Sequence, residues 1–470
     1  MPRIRMNPLT RVHGYMSVEV EINHGTVTDA WSSGLLYRGF ENILKGRSPH
    51  DAVYLTQRIC GICSSAHAVA AALTLEKTFK IKVPHNGKIL RNLILGADLI
   101  QNHIRHIYLL AIPDYISAPK NAPGNKRSEL DLRLPPETEA RIQENYLTAL
   151  ETSSLAHKAV ATFGGKAPHL QSIVAGGVTE AVLTDRIIRF QALIGELSRF
   201  INDKLLPDIE DIARYYPDYY MIGKGYGNLL SFGMFPFANN DHQKHFTAGL
   251  LLEKETQKGY DAEKISLDIR HAWYQDKEDV QKPLAQTSKP APAKEEAYSW
   301  IKAPRYENRA FEGGPLARMW LNGIYKNGIS VMDRLIARAI EAREMTVLLN
   351  DWLRELIPDQ PTINWLDPLP LSGEGVGMTD AMRGPLAHWL RVENRRIEAY
   401  RIVTPSAWNL SPRDSAGRRG PLEEALIGTP VANPENPVEV GRVVRSFDPC
   451  ISCAVHLLEK KKKSRLWRLL

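Results

Sequence analysis

The apolar positions in the N-terminal quarter of the chain change period. Between residues 16 and 35 they alternate with polar ones, Ser-Val-Glu-Val-Glu-Ile and then Thr-Val-Thr-Asp-Ala-Trp, on either side of His24-Gly25. That alternation predicts a β-hairpin. Ala66 to Phe79 reads as a helix, and between Asn86 and Ala111 the residues Leu90, Leu93, Ile94, Ala97, Ile100, Ile104 and Ile107 recur at helical spacing. The second of these helices also carries His103 and His106. Residues 136–163, 181–215 and 328–356 repeat the helical period. The expected architecture is mainly α, a central bundle of long helices with small peripheral antiparallel β-sheets. Residues 276–296 are polar and hold Pro283, Pro290 and Pro292, which predicts a surface excursion. No internal repeat interrupts the pattern.

Composition narrows the function classes. The 470 residues are 43% hydrophobic and 24% charged, the balance of an ordinary globular protein. No apolar run reaches the ~18 residues of a membrane span, and Met-Pro-Arg-Ile-Arg-Met-Asn-Pro at the start has no apolar signal region. The net charge of +7 invites a nucleic-acid reading. Six Lys/Arg and one Glu in residues 457–470 account for most of that excess. A short basic tail is a solvated appendage by default, and no basic stripe interleaves with aromatics, so no nucleic-acid partner is expected.

The chemistry lies in the cysteines. There are four, all in two Cys-x-x-Cys pairs at opposite ends: Cys60 and Cys63 in Arg58-Ile-Cys-Gly-Ile-Cys-Ser-Ser-Ala-His67, Cys450 and Cys453 in Asp448-Pro-Cys-Ile-Ser-Cys-Ala-Val-His456. The first pair is expected at a helix N-terminus, where the dipole favours the thiolate that binds a metal. Four thiolates suit zinc, iron–sulfur or another soft transition metal. Structural zinc, a catalytic metal and a redox dithiol are all compatible with the spacing, although structural zinc usually clips a short loop and no thioredoxin-like βαβ pattern surrounds either pair. Arg58, Asp448 and the two histidines add groups that tune thiolates and guide protons.

At this point the chain resembles the large subunit of nickel–iron hydrogenases. RICGICSSAH follows that family's Arg-x-Cys-Gly-x-Cys-x-x-x-His signature, and FDPCISCAVH its Asp-Pro-Cys-x-x-Cys-x-x-His signature. RGFENILKGR (38–47), GGKAPHLQSIVAGGVT (164–179), KAPRYENRAFEGGPLAR (302–318), MRGPLAHW (382–389) and IVTPSAWNLSPR (402–413) extend the likeness from about residue 7 to His456. The resemblance implies one domain, 1–456, followed by an extension, 457–470, that is removed on maturation. It implies a nickel atom held by four thiolates, with Cys60 and Cys450 terminal and Cys63 and Cys453 bridging to an iron that carries cyanide and carbon monoxide. Arg383 aligns with the arginine over the open metal position, Pro405 and Ser406 with the cyanide pocket, His67 with the histidine beside a bridging sulfur, and Asp448 with an aspartate close to the metals. Glu41, the carbonyl of Ile402 and His456 align with a magnesium site.

The implied activity is heterolytic cleavage of dihydrogen, in an uptake or respiratory branch, with the proton passing to a terminal cysteine, Cys450. Three positions depart from the family pattern. Thr10-Arg-Val-His-Gly14 has His13 where the family's proton-relay glutamate stands, and imidazole is a competent relay near neutral pH. Asn102 replaces an aspartate, and Met382 replaces a proline. No cysteine remains for an electron-transfer cluster, so an iron–sulfur small subunit is the expected partner. A maturation endopeptidase, nickel-insertion factors and a membrane cytochrome b are further partners that the resemblance brings. Location is expected to be periplasmic, or outward-facing on a membrane through the small subunit, with a cytoplasmic site left open. The rival classes are a structural-zinc scaffold and a non-catalytic electron-transfer subunit of the same fold.

Overall fold

The computed structural model describes residues 3–117, 131–287 and 289–454, apart from the side chains of 241, 242, 453 and 454. The chain opens with strands β1 (Arg3–Met6), β2 (Met16–Asn23) and β3 (Thr26–Gly34), an antiparallel sheet with β2 in the middle. β2 and β3 are the expected hairpin, and the period-2 pattern puts Met16, Val18, Val20 and Ile22 into the core. β1 is not legible in the pattern, because Arg-Ile-Arg-Met is too short to establish a period.

Helix α1 (Ser64–Phe79) starts directly after Cys63, and α2 (His85–Arg105) runs on into a π-helical turn, His106–Ala111. Then come α3 (Pro136–Gly164), α4 (Thr184–Phe200), α5 (Leu206–Tyr215) and α6 (Val331–Glu355). Four of these pack in cyclic order: α2 against α3, α3 against α4, α4 against α6, and α6 back against α2. The single helix expected over 181–215 is two, α4 and α5, joined by a π turn at Ile201–Leu205. Pro207 has no N–H to return to the Asp203 carbonyl, and the wider turn absorbs the mismatch. The polar excursion at 276–296 is pinned by short pairings, Tyr274–Gln275 with Lys289–Pro290 and Val280–Gln281 with Ile265–Asp268.

Not every sheet is peripheral. Strands β4 (Gly373–Ala381), β5 (Gly384–Glu393) and β6 (Arg396–Val403) form an antiparallel sheet that lies on α1, and nearly all of the central strand β5 is buried. Glycines make this possible. A Cβ at Gly375 or Gly377 would overlap Thr78 Oγ1 or Thr74 Oγ1, so the alternate glycines let the β4 backbone rest on the helix. Helices α7 (Pro405–Asn409) and α8 (Val438–Ser446) follow. One core cluster holds residues of α1, α2, α6, the β4–β6 sheet and α8, and includes Cys60, Cys63 and Cys450. Among the described residues no helix is long and apolar enough to cross a membrane.

Candidate metal centre

The first cysteine pair is placed by local structure. A 3-10 turn over Gln57–Ile59 delivers Cys60 in an extended conformation, and Cys63 occupies the N-cap position of α1. The second pair also leads into a helix, the short turn Ile451–Ala454 that begins directly after Cys450. Asp448 stands at φ +55, and two residues on, Cys450 pairs by a parallel bridge with His13. The His13 N–H donates to the Pro449 carbonyl at 3.1 Å, and the Ile451 N–H to the His13 carbonyl at 2.7 Å. Ser406, in the first turn of α7, accepts the Cys450 N–H at 3.1 Å. These contacts bring Cys60 Sγ within 3.3 Å of Cys450 Sγ, and the sulfurs of Cys60, Cys63 and Cys450 all lie within 4.8 Å of one another, buried and not disulfide-bonded. The Cys453 side chain and His456 lie outside the described residues.

Arg38 ties the two motifs together. Its guanidinium donates to the carbonyls of Arg58 and Ile59 beside the first pair and to that of Ser452 in the second. The sequence segment 38–47 is conspicuous, yet nothing in it singles out this arginine as the link.

Arg383 sits at the turn between β4 and β5, and its Nε lies 3.0 Å from both the carbonyl and Oδ1 of Asp448. Its Nη1 and Nη2 are buried with no hydrogen-bond partner among the described residues. Burial would lower the Arg383 pKa, but Asp448 and then the charges of Cys450, Cys63 and Cys60 outweigh it and raise it. Two buried donors without a partner, on a guanidinium close enough to the three sulfurs to feel their charge, are what a pocket holding a soft metal and small anionic ligands requires, so the donor set fits a thiolate-bound metal centre. The turn is braced from behind: Arg318 donates to the carbonyls of Ala381 and Met382 and pairs with Glu341 and Asp380. His103 Nε2 lies 2.7 Å from Glu341 Oε2, the oxygen that also accepts Arg318 Nη2, so this histidine supports Arg318. Met382 is wholly buried and contributes its carbonyl to that brace.

Asp448 collects charge from several elements. Asn102 Nδ2 donates to its Oδ2 at 3.0 Å, and Arg338 lies 3.9 Å away. Burial alone would push the carboxyl up; Arg383, His106, Arg338 and His13 more than offset this and hold it far below the usual carboxylate range. His106 takes an Arg338 N–H on Nδ1 and lies 2.7 Å from the Arg445 carbonyl through Nε2, which assigns the proton to Nε2. Burial, with Arg338 beside it, lowers its pKa to about 3.

His67 Nδ1 is 3.2 Å from His388 Nε2, and His388 Nδ1 is 2.8 Å from the Tyr400 hydroxyl, a chain running from α1 into the β5–β6 sheet. Burial lowers the His67 pKa to about 4. His13 is lowered by burial and by Arg383, against the opposing charges of Cys450 and Asp448. Pro405 opens α7 and, with the Thr404 cap, presents Ser406 to Cys450. Glu41 is brought to Ile402 as the motifs suggest, but through the Ile402 N–H, which donates to Glu41 Oε1 at 3.0 Å. Lys302 Nζ stands 3.3 Å from the other oxygen.

Comparison with known proteins agrees with this geometry. The chain matches the family model described as nickel-dependent hydrogenase over residues 38–130, 125–328 and 324–456. It is 38% identical to the periplasmic [NiFeSe] hydrogenase large subunit of Desulfomicrobium baculatum, over 97% of this chain and 95% of that one. It is 32% identical to the hydrogenase-2 large chain of Escherichia coli (strain K12), over 97% of each. The solved reduced-state Ni-Fe-Se hydrogenase of D. vulgaris Hildenborough superposes with a TM-score of 0.93 at 38% identity, covering 97% of this chain and 100% of that one. The sequence signatures, the converged thiols and these full-length likenesses place the chain in the nickel-dependent hydrogenase family, as a large subunit.

Proposed function

We propose that this chain is the hydrogen-activating subunit of an uptake-type nickel–iron hydrogenase, one domain over 1–456 with its four long helices as the central bundle. The observation that supports this most is the meeting of three buried sulfurs, with two buried Arg383 donors left without a partner among the described residues. Cys60, Cys63, Cys450 and Cys453 would hold the nickel–iron centre, and Arg383, Pro405 and Ser406 would line the pocket for its cyanide and carbon monoxide ligands. When bound, that group supplies the Lewis-acidic, electron-accepting centre at which dihydrogen yields two protons and two electrons.

The chain's residues manage the charge. Cys450 Sγ takes the first proton, and His13, neutral because burial lowers its pKa and bridged to Cys450 through the backbone, accepts it next. Asp448 stays ionised and keeps Arg383 aimed over the sulfurs. His67, the last residue of the first motif, is held by His388. Glu41, Ile402 and His456 would take magnesium, with Lys302 displaced from the Glu41 carboxylate.

The four cysteines are all assigned to this centre, so electrons leave through an iron–sulfur small subunit, which the designation large subunit of the relatives supports. Periplasmic placement with that partner, a membrane cytochrome b as acceptor, and cleavage of 457–470 by a maturation endopeptidase after nickel insertion complete the reading. Infrared spectroscopy with metal analysis of the heterodimer tests it. Sharp cyanide and carbonyl bands with nickel and iron near one each are expected; zinc without such bands overturns it. In the same preparation, His13→Gln should slow hydrogen–deuterium exchange by roughly 100-fold if the imidazole carries the proton.

A further inference from the structure

Two non-glycine residues flank the bridge between His13 and Cys450 in the same unusual way. Arg11 stands at φ +56 and Asp448 at φ +55, each two positions before its bridge partner. A left-handed backbone is uncommon for a residue with a Cβ, and it persists only where the surroundings impose it. Asp448 is held by Arg383 and Asn102 and, through its own N–H, by the Arg445 carbonyl at 2.9 Å. Arg11 lies in the loop between β1 and β2, outside every strand and helix.

What holds Arg11 is its side chain. Its Nη1 donates to the Leu110 carbonyl at 3.0 Å, and its Nη2 to Oδ1 of Asp114 in the 3-10 turn Ile112–Asp114, directly after the π-helical turn of α2. The other carboxylate oxygen of Asp114 accepts Arg445 Nη1 at 2.7 Å, and Arg445 Nε reaches the Thr10 carbonyl at 3.3 Å. One buried carboxylate thus joins the loop that carries His13 to the last turn of α8, three residues before Asp448. Asp114 is fixed in turn, because Arg442, one turn earlier on α8, donates from Nη2 to its carbonyl at 2.6 Å. Burial would raise the Asp114 pKa, but Arg445 and then Arg11 outweigh it and lower it, so a charged carboxylate meets both guanidinia.

We propose that Asp114 is a positioning residue: by holding Arg11 in its left-handed conformation and tying it to Arg445, it sets the register of the His13–Cys450 bridge and so presents His13 to Cys450. The importance of that placement for turnover rests on His13 being the proton acceptor, so the bridge and the turnover are read separately. The His13 and Ile451 N–H groups close the bridge, and their hydrogen exchange in the heterodimer reports it directly. Asp114→Ala should raise exchange at these two amides about tenfold, the order set by strain at a left-handed residue. Nickel content and infrared bands should stay as in wild type, because Ser406 and Arg383 still hold the second motif. Asp114→Asn keeps one acceptor for two guanidinia and should show a smaller rise. Arg11→Gly adopts the left-handed backbone with no clamp, so in that background Asp114→Ala should add less than about threefold. Isotope exchange of dihydrogen per nickel should fall in step with the amide protection.

Wild-type protection of both amides in Asp114→Ala overturns the proposal. So does an equal rise with and without Arg11→Gly, or a rise spread evenly over the chain, which marks general destabilisation. Loosened amides with undiminished turnover per nickel support the role of Asp114 and count against His13 as the relay. If Asp114→Ala yields no heterodimer, Asp114→Asn takes its place in the same comparison and the same outcomes decide.

Discussion

The two cysteine motifs reach the same point by different physics. Cys60 and Cys63 ride on a 3-10 turn and a helix start, so neighbouring residues set most of their placement. Cys450 stands on a left-handed Asp448 and a backbone bridge to His13, with Ser406, Arg383 and Asn102 supplied by three other elements. Both motifs lead into a helix start, but the second depends in addition on tertiary contacts from several other elements, some of them charged. A local motif tolerates the loss of any single remote partner, whereas an assembled one concentrates its stability in a few buried groups.

Substitutions can sharpen or break that contrast. The largest effect is expected from Cys450→Ala, which should abolish nickel retention and hydrogen–deuterium exchange, read by metal analysis and isotope exchange. Arg383→Leu removes the nearest cation from the buried Asp448, leaving Arg338 at 3.9 Å and the Asn102 hydrogen bond, and should cost up to about 3–5 kcal/mol, measured as lower thermal stability of the heterodimer. Next comes acid. The Asp448 pKa is depressed in the fold, so its contribution is fully present above the ordinary carboxylate value of about 4 and is lost as pH falls below that toward the folded value. Unfolding followed below pH 4 should therefore show a shrinking gap between wild type and Asp448→Asn. The smallest effect is Ser406→Ala, which leaves the Cys450 N–H unmet and should cost about 1–3 kcal/mol. If it costs no more than an alanine at an exposed serine, the assembled character of the second motif is wrong.

The sequence showed what periodicity and spacing can carry. The hairpin, the long helices and the cysteine motifs were legible because each is local. The division at Ile201–Leu205 was hidden, since the apolar period continues across Pro207. The burial of the β4–β6 sheet was also hidden, because it depends on glycines at 375 and 377 meeting threonines far away in sequence. Within the site, the motifs named Arg383, Asp448, Ser406 and His67. They could not show that His103 supports Arg318 or that Glu41 meets Ile402 through N–H, because such roles follow from packing partners.

The Arg38 clamp has a consequence for biosynthesis. The two cysteines it draws together are 390 residues apart. At ribosomal rates of about 5–20 residues per second, the first pair emerges roughly 20–80 s before the second. Throughout that interval the carbonyls of Arg58 and Ile59 are present and their companion at Ser452 is not. The pocket thus has an open period set by gene order, and a single guanidinium, already waiting at its rim, marks when it ends.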